Sequence, residues 1–323
     1  MSGTWAFPKI DAVTPSQTSV STVLPPWPGR QVEAAGSCLY VRRAEPDGAG
    51  LAPALFVHGL GGSAQNWTDL MGGLRDIVDG EALDLPGFGH SPPAAAADYS
   101  ISAHARAVIR LLEQRDRGPV HLFGNSLGGA VATRVTALRP DLVRTLTLIS
   151  PALPHLRPRR HGAAVGLYAV PGFSQLIGRL MAAQSPQARV QAMLDLVYAD
   201  SSGVPEERRR EAAEDYQRRD GLAYARQAVL LSLRGVLFAY LDRGSSSLWR
   251  QAAQVRVPTL LIYGQRDKIV DPRTARRALG TFPNARLVLL PNSGHVAMME
   301  HPQIVERAFR DFLRSVSNRR EGS

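Results

Sequence analysis

A serine hydroxyl is barely ionised at neutral pH and becomes a nucleophile only beside a base and an anion site. The stretch HLFGNSLGGAV, residues 121–131, ends an apolar run with Ser126 between Gly124 and Gly128, and Gly129 follows. Such spacing suits a reactive serine. Small residues two before and two after it let a strand and a helix approach closely while the serine takes strained backbone angles at the tip. The same glycines also suit a plain strand-to-helix connection in which Ser126 merely caps the helix. Whether the rest of the chain supplies a base, an acid and an anion site separates the two.

Eight histidines compete for the role of base. His295, in LVLLPNSGHVAMMEHP, follows the last strand pattern and falls in a loop at the same sheet edge as Ser126. His58 and His121 read as structural, one in a glycine turn and the other inside the strand before the serine. His90, His104, His155, His161 and His301 fit solvated or locally hydrogen-bonded roles. For the acid that orients the base, TLLIYGQRDKIVDP offers Asp267 and Asp271. Asp267 lies nearer the strand end and is preferred on loop geometry and chain order. Asp84 reads as structural, tying down the turn LPGFGHS. One anion donor is the Leu127 amide at the helix start, where the helix dipole favours negative charge. The second is assigned to the Leu60 amide in HGLGG, residues 58–62, whose glycines bring backbone close to a substrate oxygen.

The elements that must position these residues follow from pattern. QVEAAGSCLYVRRAE reads as an opening antiparallel hairpin. After it, strands (APALFVHG, GEALDLPG, PVHLFGNS, RTLTLIS) alternate with helices (NWTDLMGGLRD, SISAHARAVIRLLEQ, LGGAVATRVTALRP), which implies parallel pairing with right-handed crossovers. The strands are apolar on both faces, as a sheet covered by helices on both sides requires. After SPALP the text turns helical for about a hundred residues (QARVQAMLDLVYAD, EERRREAAEDYQRR, AYARQAVLLSLRGVLFAYL), an inserted cap. Val190, Met193, Leu194 and Val197 share one face of the first of these, for packing within the cap or for substrate. Alternation resumes with VPTLLIYG, PRTARRALGTF, ARLVLLP and PQIVERAFRDFLRSV. The expected organisation is an extended or disordered arm over 1–29, a core of 30–150 and 253–315, a cap over 151–252 and a tail at 316–323.

The 323 residues carry a net charge of +10, which invites a nucleic-acid partner. The distribution argues against one. Arginines lie in short groups at 157–160, 208–210, 218, 276 and 319, several beside acidic residues, and read as a solvated surface. They leave room for weak contact between a basic cap and an anionic membrane surface. Cys38 is the only cysteine, so no intrachain disulfide forms, and it is expected to be a buried structural thiol. No basic start with an apolar run opens the chain and no stretch approaches the ~18 apolar residues of a membrane span, so a cytoplasmic protein is expected.

HGLGG, DLPGFGHS, GNSLGG, YGQRDKIV and SGHVAMMEHP resemble, in kind and in order, the motifs of the α/β-hydrolase fold family in its cap-bearing branch, over about residues 30 to 315. The resemblance implies an α/β fold with a mostly parallel eight-stranded sheet, helices on both faces and an inserted helical cap. It implies a triad of Ser126, Asp267 and His295, the Leu60 and Leu127 amides as oxyanion hole, and neither a cofactor nor a metal. Serine at 126 disfavours the aspartate-nucleophile branches, the haloalkane dehalogenases and epoxide hydrolases. The expected activity is hydrolysis of apolar or acyl-chain carboxylic esters through an acyl-enzyme, as in a carboxylesterase or monoacylglycerol lipase, by a monomer or homodimer acting on a small molecule. The alternatives are a carbon–carbon bond hydrolase of ring-cleavage products, a thioesterase, lactonase or cofactor-free peroxidase, and, outside the enzymes, a hydrolase-like ligand-binding protein. Val296 stands where the carbon–carbon hydrolases tend to have tryptophan, and HGLGGSAQNW lacks their usual proline.

Overall fold

Strands that are apolar on both faces need helices on both, and eight of them form one sheet in the order β1-β2-β4-β3-β5-β6-β7-β8. The computed structural model of the chain describes residues 23–321 apart from 95, 156–159, 171, 174–178 and 180–182. Residues 1–22 of the expected arm and most of the 157–160 arginine group lie outside the described residues.

The hairpin of β1 (Gly29–Ala34) and β2 (Ser37–Arg43) turns through Ala35 and Gly36, at φ 44° and 79°, the paired positive values that match strand twist in a two-residue loop. β2 pairs antiparallel with β4 (Val78–Leu83). From there β3 (Ala52–Val57), β5 (Val120–Asn125), β6 (Val143–Ile149), β7 (Thr259–Gly264) and β8 (Ala285–Leu290) run parallel. On β5 the period of two sends Leu122 to one apolar cluster and Phe123 to the other. The first cluster includes residues of α2 (Ile101–Arg115), α3 (Leu127–Leu138) and α9 (Thr274–Thr281); the second joins α1 (Thr68–Gly73), α10 (Ala297–Glu300) and α11 (Pro302–Glu321). There Phe123 stacks on Phe56, ring centroids 4.3 Å apart, and meets Phe309 at 4.7 Å.

The insertion lies between β6 and β7 and contains α4 (Arg160–Tyr168), α5 (Pro186–Val197), α6 (Glu206–Asp220) and α7 (Ala225–Leu241). Val190 and Leu194 of α5 are buried in the second cluster, with Met193 and Val197 packed against it, so that stripe serves packing. One further helix, α8 (Leu248–Gln254), returns to the core, where Gln251 receives Arg134 Nε of α3 at 3.0 Å. Among the described residues no single helix is long and apolar enough to cross a membrane.

Three expectations change. Residues 316–321 are not a tail: α11 continues through them because its apolar stripe extends to Val316, which packs on the second cluster. Cys38 is half-exposed on β2, where its thiol meets Gln31 Oε1 at 3.0 Å; burial, though slight, and the neighbouring Glu33 raise its pKa. The third concerns arginines. Arg208, Arg218 and Arg219 of α6 are not a solvated rim, since each reaches a backbone carbonyl outside the cap. Their stems and charges are committed to the seam with the core.

Candidate active site

β5 ends at Asn125 and α3 starts at Leu127, so a single residue makes the turn between them. Ser126 makes it at φ 52° and ψ −118°, a positive φ that costs a non-glycine residue about 1–3 kcal/mol. The surrounding backbone holds it there. Ser126 N–H donates to Ile149 O, and its carbonyl accepts from Ala130 and Ala152. The flanking glycines are required by close approach: a Cβ on Gly124 would sit 2.4 Å from Gly128 O, and one on Gly128 would sit 2.2 Å from Val57 O. Ser126 is half-buried.

Asp267 and His295 sit in the loops after β7 and β8, adjacent parallel strands, so their loops leave the same sheet edge as Ser126. Arg266 N–H donates to Ser293 O at 3.0 Å, which ties one loop to the other. Asp267 Oδ2 lies 2.8 Å from His295 Nδ1, while Oδ1 accepts from the amides of Ile269 and Val270 at 2.8 and 2.9 Å. Burial pushes the Asp267 carboxyl up, but His295 and the two amides outweigh it and hold it below the ordinary carboxylate range. With Nδ1 committed to the carboxylate, Nε2 is the ring nitrogen left for chemistry. Asp271 does not join them: Arg273 Nε approaches its two oxygens at 3.0 and 2.8 Å.

The serine and histidine loops meet through Asn125, whose side-chain amide donates to Ile149 O and to His295 O, both at 3.0 Å. Among the described residues no hydrogen bond joins Ser126 Oγ to His295. Such contacts are often long without substrate.

The turn after β3 lies against the serine, for a Cβ on Gly59 would fall 3.1 Å from Ser126 Cβ. His58, fully buried, fixes this turn. Its Nε2 accepts from Leu85 N at 3.0 Å and its Nδ1 donates to Gly59 O at 2.7 Å. Burial lowers its pKa to about 4, with the Arg219 charge adding to the effect against the Gly59 carbonyl, so the ring is neutral at pH 7. Gly62 N–H also donates to Gly59 O, at 3.1 Å. The Leu60 and Leu127 amides have no protein acceptor among the described residues. Asp84 accepts from the amides of Ala64 and His90, which holds the turn after β4 as expected.

Other residues at the site carried no sequence signal. Glu300 Oε2 accepts from Gly294 N at 2.6 Å and Oε1 from Ala199 N at 3.0 Å, which joins the histidine loop to the end of α5. His295 N–H itself donates to Val197 O at 2.7 Å. His104, expected to be solvated or locally bonded, is fully buried, and its Nε2 meets Ser232 Oγ of α7 at 3.0 Å.

Loops that converge over one edge of a parallel sheet around a strained serine are the architecture of a hydrolytic α/β protein. A nucleotide binder would turn such glycines toward a phosphate. The chain belongs to the alpha/beta hydrolase fold family, whose model matches residues 53–302. It is 30% identical to the dihydrolipoyllysine-residue acetyltransferase component of an acetoin cleaving system from Pseudomonas putida, over 85% of this chain and 66% of that protein, so it spans just under two thirds of that relative. It is 26% identical to a monoacylglycerol lipase of Homo sapiens, over 82% of this chain and 76% of the lipase. A 2-hydroxy-6-oxononadienedioate/2-hydroxy-6-oxononatrienedioate hydrolase of Cupriavidus pinatubonensis is also 26% identical, over 82% and 88% of the respective chains. The solved structure of a membrane phospholipase A shares the fold, with a TM-score of 0.72 at 24% identity over 91% of this chain and 87% of that one.

Proposed function

We propose that this α/β hydrolase cleaves carboxylic esters of apolar or acyl-chain substrates through an acyl-enzyme on Ser126. The observation that carries the proposal is the strained Ser126 turn with the 2.8 Å Asp267–His295 pair on the adjoining sheet edge. Substrate binding closes the gap between Ser126 Oγ and His295 Nε2. Oγ then attacks the acyl carbonyl as Nε2 takes its proton, and Asp267 fixes the tautomer and stabilises the imidazolium. The Leu60 and Leu127 amides, without a protein acceptor among the described residues, donate to the oxyanion. His295 returns the proton to the departing alcohol, and water, deprotonated by the same nitrogen, releases the acid. Similarity to a monoacylglycerol lipase supports the ester class.

Ser126→Ala should lower kcat for a short p-nitrophenyl ester by about 10⁴-fold or more. Turnover at the wild-type level would refute the assignment. A panel varying acyl length and leaving group then sets the substrate range. Similarity to the Cupriavidus hydrolase keeps carbon–carbon cleavage as a second reading, favoured if a vinylogous diketone is turned over faster than every ester.

A further inference from the structure

We propose that Arg219, a residue of the inserted cap, is a positioning residue for the oxyanion hole, acting through two peptide groups on the Leu60 amide. The inference rests on Ser126 being an acyl-transfer nucleophile, with Leu60 N–H facing the oxyanion.

In a trans peptide the carbonyl of one residue and the amide of the next lie in one plane and point in opposite directions. Arg219 Nη1 donates to Gly61 O at 2.5 Å, so it holds the plane that carries Gly62 N–H. Gly62 N–H donates to Gly59 O at 3.1 Å and holds the plane that carries Leu60 N–H. The hydrogen bonds run in one direction, from a guanidinium through two peptides to a donor with no protein acceptor among the described residues. Each bond polarises the next, so a cation at one end makes the amide at the other a better donor to a developing anion. His58 Nδ1 adds a second, neutral bond to Gly59 O without a charge of its own.

The cation is well placed for this. The Arg219 side chain is 17% exposed, and its charge is felt at the buried His58 ring. Its Nε pairs with Asp215 Oδ2 at 3.0 Å, which leaves Nη1 to Gly61 O. Gly61 is at φ +73°, a backbone angle that side-chain-bearing residues rarely adopt, and the guanidinium secures its carbonyl. Arg218 is a built-in control. It lies on the same helix and shares the same acid, but its Nη1 donates to Gly89 O at 2.6 Å, in the turn after β4.

The experiment compares Arg219→Lys, Arg219→Gln and Arg219→Ala with Arg218→Gln. Kinetics on p-nitrophenyl butyrate are measured alongside affinity for butylboronic acid, whose serine adduct mimics the tetrahedral intermediate. Arg219→Ala should lower kcat and boronate affinity together, by about 10²-fold, with KM within about twofold. Gln, which keeps a donor without the charge, should fall between Ala and Lys. Arg218→Gln should leave kcat within about twofold. Loss confined to KM, which would mark direct substrate binding, or equal losses in Arg218→Gln and Arg219→Gln, would overturn the proposal. Hydrogen exchange separates it from the nucleophile assignment. If Ser126→Ala retains turnover that assignment fails, yet exchange at residues 59–62 still decides whether Arg219 orders the loop. Exchange should accelerate about tenfold or more in Arg219→Ala and not in Arg218→Gln, and unchanged exchange sinks the inference.

Discussion

Ten of the twelve residues of α3, from Leu127 to Thr136, are buried, with the glycines of its first turn pressed against the backbones of β3 and β5. In α6, fifteen residues long, none is buried. Ala212, Ala213 and Tyr216 pack only partly buried against the second cluster, and the rest of what holds α6 is a set of charged donors reaching across the seam: Arg208 to Asp69 and Leu24 O, Arg218 to Gly89 O, Arg219 to Gly61 O. A helix fixed by volume has one position, because close packing leaves no neighbouring minimum. A helix fixed by arginine-to-carbonyl bonds is fixed by direction and charge, and those bonds can be made and broken without opening the core. The strained Ser126 turn thus stands on the rigid region, and the turn at residues 59–62 beside it is tied to the adjustable one through Arg219.

Alanine at two glycines tests the contrast most severely. At Gly128 a Cβ would meet Val57 O at 2.2 Å and His58 O at 2.5 Å, both backbone atoms that cannot swing away. Gly128→Ala should cost more than about 3 kcal/mol and yield little soluble protein. At Gly203, between α5 and α6, nothing lies within 4 Å, and Gly203→Ala should change stability by less than about 0.5 kcal/mol. Denaturant melts of the two variants check this. A soluble, active Gly128→Ala protein would show that the core yields more than its packing implies.

Much of the core was legible because its constraints are local and periodic. Strand and helix periods give the layers, and the spacing of Gly124 and Gly128 marks a close approach of strand and helix. Ser126, Asp267 and His295 could be picked out because parallel strands deliver their following loops to one edge. The seam was not legible. EERRREAAEDYQRR reads as a solvated helix, and nothing in it tells Arg219 from Arg210, which is exposed, since the carbonyl it meets is 158 residues away. His104 likewise gave no sign of its partner on α7, because burial by a distant insertion leaves no mark in the residues beside it.

Two buried histidines of the core, His58 in the turn after β3 and His104 on α2 against the cap helix α7, make stability depend on pH. Burial lowers His104 to about 3, with the charge of His58 adding, and lowers His58 to about 4. In the unfolded chain both titrate near 6.5. Above that pH neither state is protonated and these groups give no pH dependence. As pH falls from 6.5 toward the folded values, the unfolded chain binds two protons that the folded chain excludes. Each costs about 1.4 kcal/mol per pH unit, hence about 2 kcal/mol at pH 5. His104→Gln should therefore lose about 2 kcal/mol less than wild type between pH 7.5 and 5.0 in urea unfolding. His104 bridges α2 to Ser232 of α7, so exchange of α7 amides should rise at pH 5 before that of β5. Equal pH slopes in the two proteins would mean that the ring is hydrated rather than dry.

Ion pairs on the two regions give the smallest and most pointed contrast. Arg43 pairs with Asp79 at 2.8 Å on the sheet, with its side chain 49% exposed, and both residues are already placed by strand hydrogen bonds. Solvent screening there should hold the effect of Arg43→Ala below about 0.5 kcal/mol. Arg208 has a side chain only 13% exposed and bonds to Asp69, Glu211 and Leu24 O, and α6 otherwise has only partly buried apolar contacts through Ala212, Ala213 and Tyr216. Its loss should cost about 1–2 kcal/mol, less than a fully buried charged bond because Asp69 is partly solvated. The more telling readout is local: in Arg208→Ala, proteolysis within residues 198–205 should accelerate while exchange in α3 stays as in wild type. If α3 loosened with α6, the cap and the core would be one cooperative unit, and the turn at residues 59–62 could not be tuned from the cap without disturbing the serine.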